Sequence, residues 1–187
     1  MARLLGMWSR ALNRRPLLTN VATYATFYAA AEMSQQTFNK FYTSEKPDID
    51  WASGAKTVLV GSCIYPPTLY AWYKFLDRKI PGASIKAVIA KVVSDQFCMT
   101  PILLASFFIL ISVLEGKNVQ DELQAKYKTA FIANQIFWVP GQTINFLFVP
   151  GHLRVAYISI VSFLWINVLC FIKRQKIEKQ EETTNGK

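Results

Sequence analysis

The sequence predicts an all-α integral membrane protein: a helical bundle of four spans, with a basic amphipathic N-terminal helix and a broken helix before the last span. Three observations predict it. Hydrophobic residues make up 52% of the 187 residues and charged residues only 18%, where an average soluble domain is roughly 25% charged. Mean hydropathy is +0.19, high for a chain that must carry a polar surface. Positive charge also alternates from one connecting segment to the next, as it does in chains that cross a bilayer repeatedly. This composition excludes an intrinsically disordered protein and argues against an ordinary soluble enzyme.

The first element, residues 1–16, has no acid, and its charges are Arg3, Arg10, Arg14 and Arg15. At about 100° per residue, Arg3, Arg10 and Arg14 fall within roughly 40° of one another, while Leu4, Leu5, Trp8 and Leu12 occupy another face. Two readings of this helix stay open. It is Arg-rich and acid-poor like a mitochondrial targeting segment, and it suits an anionic headgroup surface. It lacks the short apolar region and cleavage motif of a secretory signal.

Residues 17–172 form the predicted membrane bundle. Leu17–Gln36 is the first span, since about 20 residues cross the hydrocarbon core; Ala22, Ala25, Ala29 and Ala30 allow a close helix neighbour. A polar loop with Pro47 follows. Ala52–Trp72 is the second span, with Lys56 in its first turns and Pro66-Pro67 expected to kink or end it. Trp51 and Trp72 flank it as interfacial anchors, and Pro81-Gly82 marks a turn. Ser84–Leu114 reads as one long helix whose part from Phe97 to Leu114 is uncharged, with a kink expected at Pro101. Glu115–Lys128 is a mixed-charge loop or surface helix. Residues 131–150 are apolar but carry Asn134, Gln135, Gln142 and Asn145 and are interrupted at Pro140-Gly141, so they read as a broken, partly buried helix. Leu153–Ile172 is the last span, charged only at Arg154. The tail, 173–187, is polar apart from Ile177 and predicted disordered.

Charge sets the expected topology. The segment to Arg15 carries +4, loop 39–50 carries −1, 74–86 carries +3, 115–128 is neutral and the tail carries +2. Four crossings make positive and non-positive segments alternate, with both termini on one side. The net charge of +9 is thus spread over loops rather than gathered into a nucleic-acid groove.

Five ionisable residues lie at or near membrane depth: Glu32, Lys56, Lys91, Asp95 and Arg154. Each costs about 2.5–3.5 kcal/mol at a helix centre, so each must pair, face the interior or snorkel to an interface. Lys91 and Asp95, four apart, share a helix face and are expected to pair. Glu32 is left to balance Lys56 or Arg154. With Gln96, Gln142 and Asn145 these residues form the expected polar seam, read either as a pathway between helices or as ion pairs fixing helix register. Cys63, Cys98 and Cys170 are scattered in apolar sequence and read as packed thiols, not a disulfide framework or zinc site. His152 is the single histidine. No nucleophile–base motif, P-loop or HExxH is present, so no catalytic residue, metal or cofactor is expected.

The stretch Trp72-Tyr73-Lys74-Phe75-Leu76-Asp77, then Ile80-Pro81-Gly82, Asp95-Gln96 with Pro101, Trp138, Gln142, Asn145-Phe146, Val149-Pro150 and Arg154 resembles, in this order, the Mpv-seventeen / twenty-two-kilodalton peroxisomal membrane protein family. Leu18-Thr19-Asn20-Val21 and Phe163-Leu164-Trp165 look most similar to its Mpv-seventeen-like branch. The chain departs from the family pattern at Ala31-Glu32, at Trp138-Val139-Pro140 and at Lys56. The resemblance implies four spans in the mitochondrial inner membrane or, alternatively, the peroxisomal membrane. It also implies channel-like passage of small solutes, with links to reactive oxygen species handling and mitochondrial DNA maintenance. The expected partners are the lipid bilayer, small solutes and a second copy of the chain, with no nucleic acid. The alternative function is a non-conducting structural protein that organises partners or lipids.

Overall fold

Seven α-helices follow one another in the computed structural model, which describes residues 2–42 and 48–167. They are α1 (Ala2–Arg14), α2 (Pro16–Tyr42), α3 (Trp51–Lys79), α4 (Ile85–Ser94), α5 (Thr100–Glu115), α6 (Val119–Phe148) and α7 (154–167). A π-helical turn, Asp95–Met99, joins α4 to α5, so 85–115 is one continuous helical stretch. No strand occurs among the described residues. The predicted tail 173–187 and Cys170 lie outside them, as do the side chains of residues 2–5, Arg3 included.

Local sequence explains the boundaries. Asp50 caps α3 by accepting from the Ser53 N–H at 2.9 Å, and Asn118 caps α6 by accepting from Gln120 N–H at 2.9 Å; short polar side chains satisfy orphan donors there. Ser84 does the same for α4. Gly116 ends α5 at φ 68°, a left-handed position that favours glycine.

Successive long helices run antiparallel. Arg154, opening α7, meets Asp77 at the end of α3, while Ser34 of α2 donates to Asn167 of α7 at the opposite end. Lys56 near the start of α3 donates to the Leu114 carbonyl at 3.0 Å, with Ser53 on Glu115 beside it. The core lies between these helices around Tyr24, Leu69, Tyr73, Leu103, Phe146 and Ile158. The outward faces are apolar as well: Ile85, Ile89, Val93 and Phe97 form an exposed stripe. Among the described residues one helix, Ile85–Glu115, is by length and composition both long and apolar enough to cross a membrane.

Two expectations need correction. Residues 131–150 are not a broken helix: α6 is continuous through Pro140 to Phe148. The proline costs a backbone hydrogen bond, but the helix continues, as helices at membrane depth tolerate where neighbours supply partners. The segment 115–128 takes the helical one of its two expected forms, after a short turn before α6. Cys63 and Cys98 are free thiols on the outward face, not packed ones; the outside of this bundle is apolar, so an apolar sequence context does not distinguish inside from outside. In α3, Pro66-Pro67 do not end the helix, which runs on to Lys79.

Helix α1 sits against α2. Leu12 is buried, and the Trp8 indole donates to Thr23 Oγ1 at 3.0 Å. Arg10, Arg14 and Arg15 are exposed.

Candidate functional site

Two polar groups occupy the interior, one at the end of the bundle where α3, α4 and α7 meet and one deeper. At the end, Asp77 holds two buried cations. Lys91 Nζ lies 2.7 Å from Asp77 Oδ1 and donates to the Gly82 carbonyl at 3.0 Å. Arg154 Nη1 donates to both Asp77 oxygens at 2.7 Å, and its Nε donates to the Val149 carbonyl. The Phe146 ring lies beneath both cations, 5.0 Å from the guanidinium and 5.9 Å from the ammonium, and favours them through its negative face. Lys91 is 1% exposed and Arg154 6%. Asp77 lies past the end of the span expected over 52–72, at the rim. Partial burial raises its pKa, but the hydrogen bonds and charges of Arg154 and Lys91 outweigh that and hold it below the ordinary carboxylate value.

The expected Lys91–Asp95 pair does not form. A helical side chain leans toward the N-terminus of its helix, so Lys91 reaches back toward Gly82 and Asp77 rather than forward to Asp95. The lysine-before-acid order is also the weaker one for a pair four apart. Nor does Glu32 balance Lys56 or Arg154: Glu32 accepts from Gln36 at 2.9 Å, and Lys56 caps the carbonyl end of α5, where a cation complements the helix dipole.

Deeper in, Asp95 is 2% exposed and receives only neutral donors. Trp72 Nε1 donates to Oδ1 and Gln96 Nε2 to Oδ2, each at 3.0 Å. Trp72, half-buried, thus turns its indole N–H toward the interior. Gln142 donates to the Tyr73 hydroxyl at 2.8 Å, and Asn145 donates to Gln142 Oε1 at 2.8 Å. The structure thus brings Asp95, Gln96, Gln142 and Asn145 into one buried group, joins Lys91 and Arg154 through Asp77, and leaves Glu32 and Lys56 near the opposite end.

The π turn accounts for one polar contact here. Thr100 N–H bonds to the Asp95 carbonyl, one residue further back than in an α-helix. In that register the Gln96 carbonyl would accept from residue 101, which is proline and has no N–H. Gln135 of α6 supplies the missing donor at 3.3 Å. The kink expected at Pro101 is thus realised as a π turn, a feature frequent at functional sites.

A cavity of about 200 Å³ lies beside Asp95, with walls from α2, α3, the α4–α5 stretch, α6 and α7. Tyr24, Tyr28, Tyr65 and Tyr73 line it with Trp138, Asp95, Gln96 and Gln142. The tyrosines stack, Tyr24 on Tyr28 at 5.4 Å and on Tyr65 at 5.8 Å between ring centroids. The Tyr28 ring occupies space left by Gly61, where a Cβ would come within 2.6 Å of it. Sequence reasoning missed this wall, although the 24/28 and 65/73 spacings put each pair on one helix face. It also missed Asp77, whose signal was its being the sole acid in a basic segment near two cations at membrane depth. Among the described residues no group of three or more His, Cys, Asp or Glu side chains could hold a metal ion.

The model of the Mpv17 / PMP22 family matches residues 112–170. An Mpv17-like protein of Xenopus laevis is 36% identical over 171 residues, which cover 89% of this chain and 81% of that one. Protein sym-1 of Neurospora crassa is 30% identical over 172 residues, 90% of this chain and 98% of its own. A protein named mitochondrial inner membrane protein Mpv17, from Xenopus laevis, is 30% identical over 174 residues, 88% of this chain and 95% of its own. No solved structure matches the chain.

Proposed function

Because this chain belongs to the Mpv17 / PMP22 family of membrane proteins, we propose that it is a multi-pass protein of the mitochondrial inner membrane that passes small solutes between its helices, and that it is not an enzyme. The observation that carries this reading is the cavity of about 200 Å³ with polar groups in its wall, lined by residues of α2, α3, the α4–α5 stretch, α6 and α7. Asp95, Gln96 and Gln142 are polar groups that lipid cannot satisfy, and an interior that receives them can also receive a polar solute. Such passage would support mitochondrial homeostasis, the role the family resemblance implies. The name of one relative supports the inner membrane; a fluorescent fusion found in peroxisomes would move the protein to the alternative address.

The number of crossings turns on α6. Charge alternation alone favours four, with both termini on one side. Helix α6 is uncharged from 129 to 148 and turns Gln142, Asn145 and Phe146 inward. We therefore read five traverses, which put the end of α7 on the side of the first loop and opposite α1. Single cysteines placed in 43–47 and after residue 172, labelled in sealed organelles, test this reading. Reaction from one side supports five traverses, and reaction from opposite sides restores four.

Passage itself is tested with purified protein in liposomes. Release of trapped small solutes, absent from protein-free liposomes, is the expected result. No release would leave the alternative, a non-conducting scaffold.

A further inference from the structure

We propose that the interior cavity binds a small organic ammonium ion, a primary amine on a short carbon chain. This rests on reading the interior as a solute site and adds the charge and class of the solute. The first argument is charge. The Asp95 carboxylate is 2% exposed, and among the described residues it forms no ion pair. The two buried cations, Lys91 and Arg154, are held by Asp77 at 2.7 Å. Neutral donors offset only part of the cost of burying a charge, so this carboxyl must take up either a proton or a bound cation.

The second argument is the wall. Tyr24, Tyr28, Tyr65, Tyr73, Trp138 and Trp165 line the cavity. Aromatic faces attract cations, and cages of such rings are a recurring way to hold an ammonium group. The third is an orphaned acceptor. Gln96 is 1% exposed, lines the same cavity, and its Oε1 is buried without a hydrogen-bond partner. A buried acceptor left unpaired is costly, and a ligand with N–H groups would satisfy it where a quaternary ammonium could not. The fourth is size: about 200 Å³ is below the roughly 300–1,000 Å³ of sites for drug-sized ligands, which suits an ion of a few carbons.

The test is titration of the purified full chain in liposomes with n-butylammonium, followed by tryptophan fluorescence, with n-butanol, butyrate and tetramethylammonium as controls. Saturable butylammonium binding is expected, at least tenfold tighter than any control and weakened at least tenfold in Asp95→Asn. Equal binding of n-butanol, or unchanged binding by Asp95→Asn, would overturn the proposal. Should Asp95→Asn fail to insert, Tyr28→Leu takes its place: it removes a ring and no charge, and a several-fold loss is expected, while no loss overturns the proposal. Glycerol release from the same liposomes reports passage separately. Butylammonium binding without glycerol release keeps the ammonium site and removes the conduit; release without butylammonium binding removes the ammonium site alone.

Discussion

Asp77 and Asp95 are both carboxylates that meet the bundle interior, and their surroundings are opposite. Asp77, at the rim and 37% exposed, takes both buried cations, one of them through both of its oxygens. Asp95, 2% exposed, takes none and is held by an indole and an amide. The better-solvated acid has the stronger partners, and the dry one faces a cavity. A carboxylate that only fixed helix register would be expected to use the nearby lysine. The difference gives Asp77, which ties the ends of α3, α4 and α7, the fixing contacts, and leaves Asp95 available to the proposed solute path.

The largest effect that could break this comparison is at the rim. Asp77→Asn strands Lys91 and Arg154 as buried cations without their acid. Removing one partner of a buried ion pair typically costs about 3–5 kcal/mol, so thermal unfolding in detergent should drop strongly or the variant should not accumulate. A melting temperature within a degree or two of wild type would mean the cluster holds nothing together. Next comes the link between the π turn and α6. Gln135→Leu leaves the Gln96 carbonyl without its donor, and an unsatisfied buried acceptor costs about 1–3 kcal/mol; a smaller loss than at Asp77, but a measurable one, is expected in the same melt.

Acid should then separate the two pairs more gently. Asp77 has its pKa lowered by Arg154 and Lys91, below the value it takes unfolded. Its contribution is fully present above the unfolded value, near 3.8, and is lost as pH falls through the lower folded value. Melting temperature should therefore decline in that acid range in wild type, and decline less in any folded Asp77→Asn protein. Equal acid sensitivity in both would remove the rim pair as its source.

The sequence made much of this legible and some of it not. Arg10 and Arg14, four apart in α1, are both exposed, as an amphipathic reading of that helix expects. Helix α6 was not legible, because Pro140-Gly141 and four amides look like an interruption in a linear reading. In the fold Gln142 and Asn145 turn inward, Gln135 meets the π turn, and the Gly141 carbonyl accepts from Tyr157. The residues Glu32, Lys56, Lys91, Asp95 and Arg154 were identifiable by the cost of their depth. Their partners were not, since Asp77 lies 14 residues from Lys91 and 77 from Arg154, and four-residue spacing suggests only local pairs.

The smallest expected change in stability is also the most direct test. Asp95→Asn keeps an acceptor for Trp72 and strands no cation, so stability should change by no more than about 1 kcal/mol. Thermal melting and liposome flux are to be measured on this one variant beside wild type. A near-native melting temperature with altered solute flux or ion preference is predicted. A collapse in stability would make Asp95 a structural partner like Asp77. A stable protein with wild-type flux and selectivity would contradict its place in a solute path.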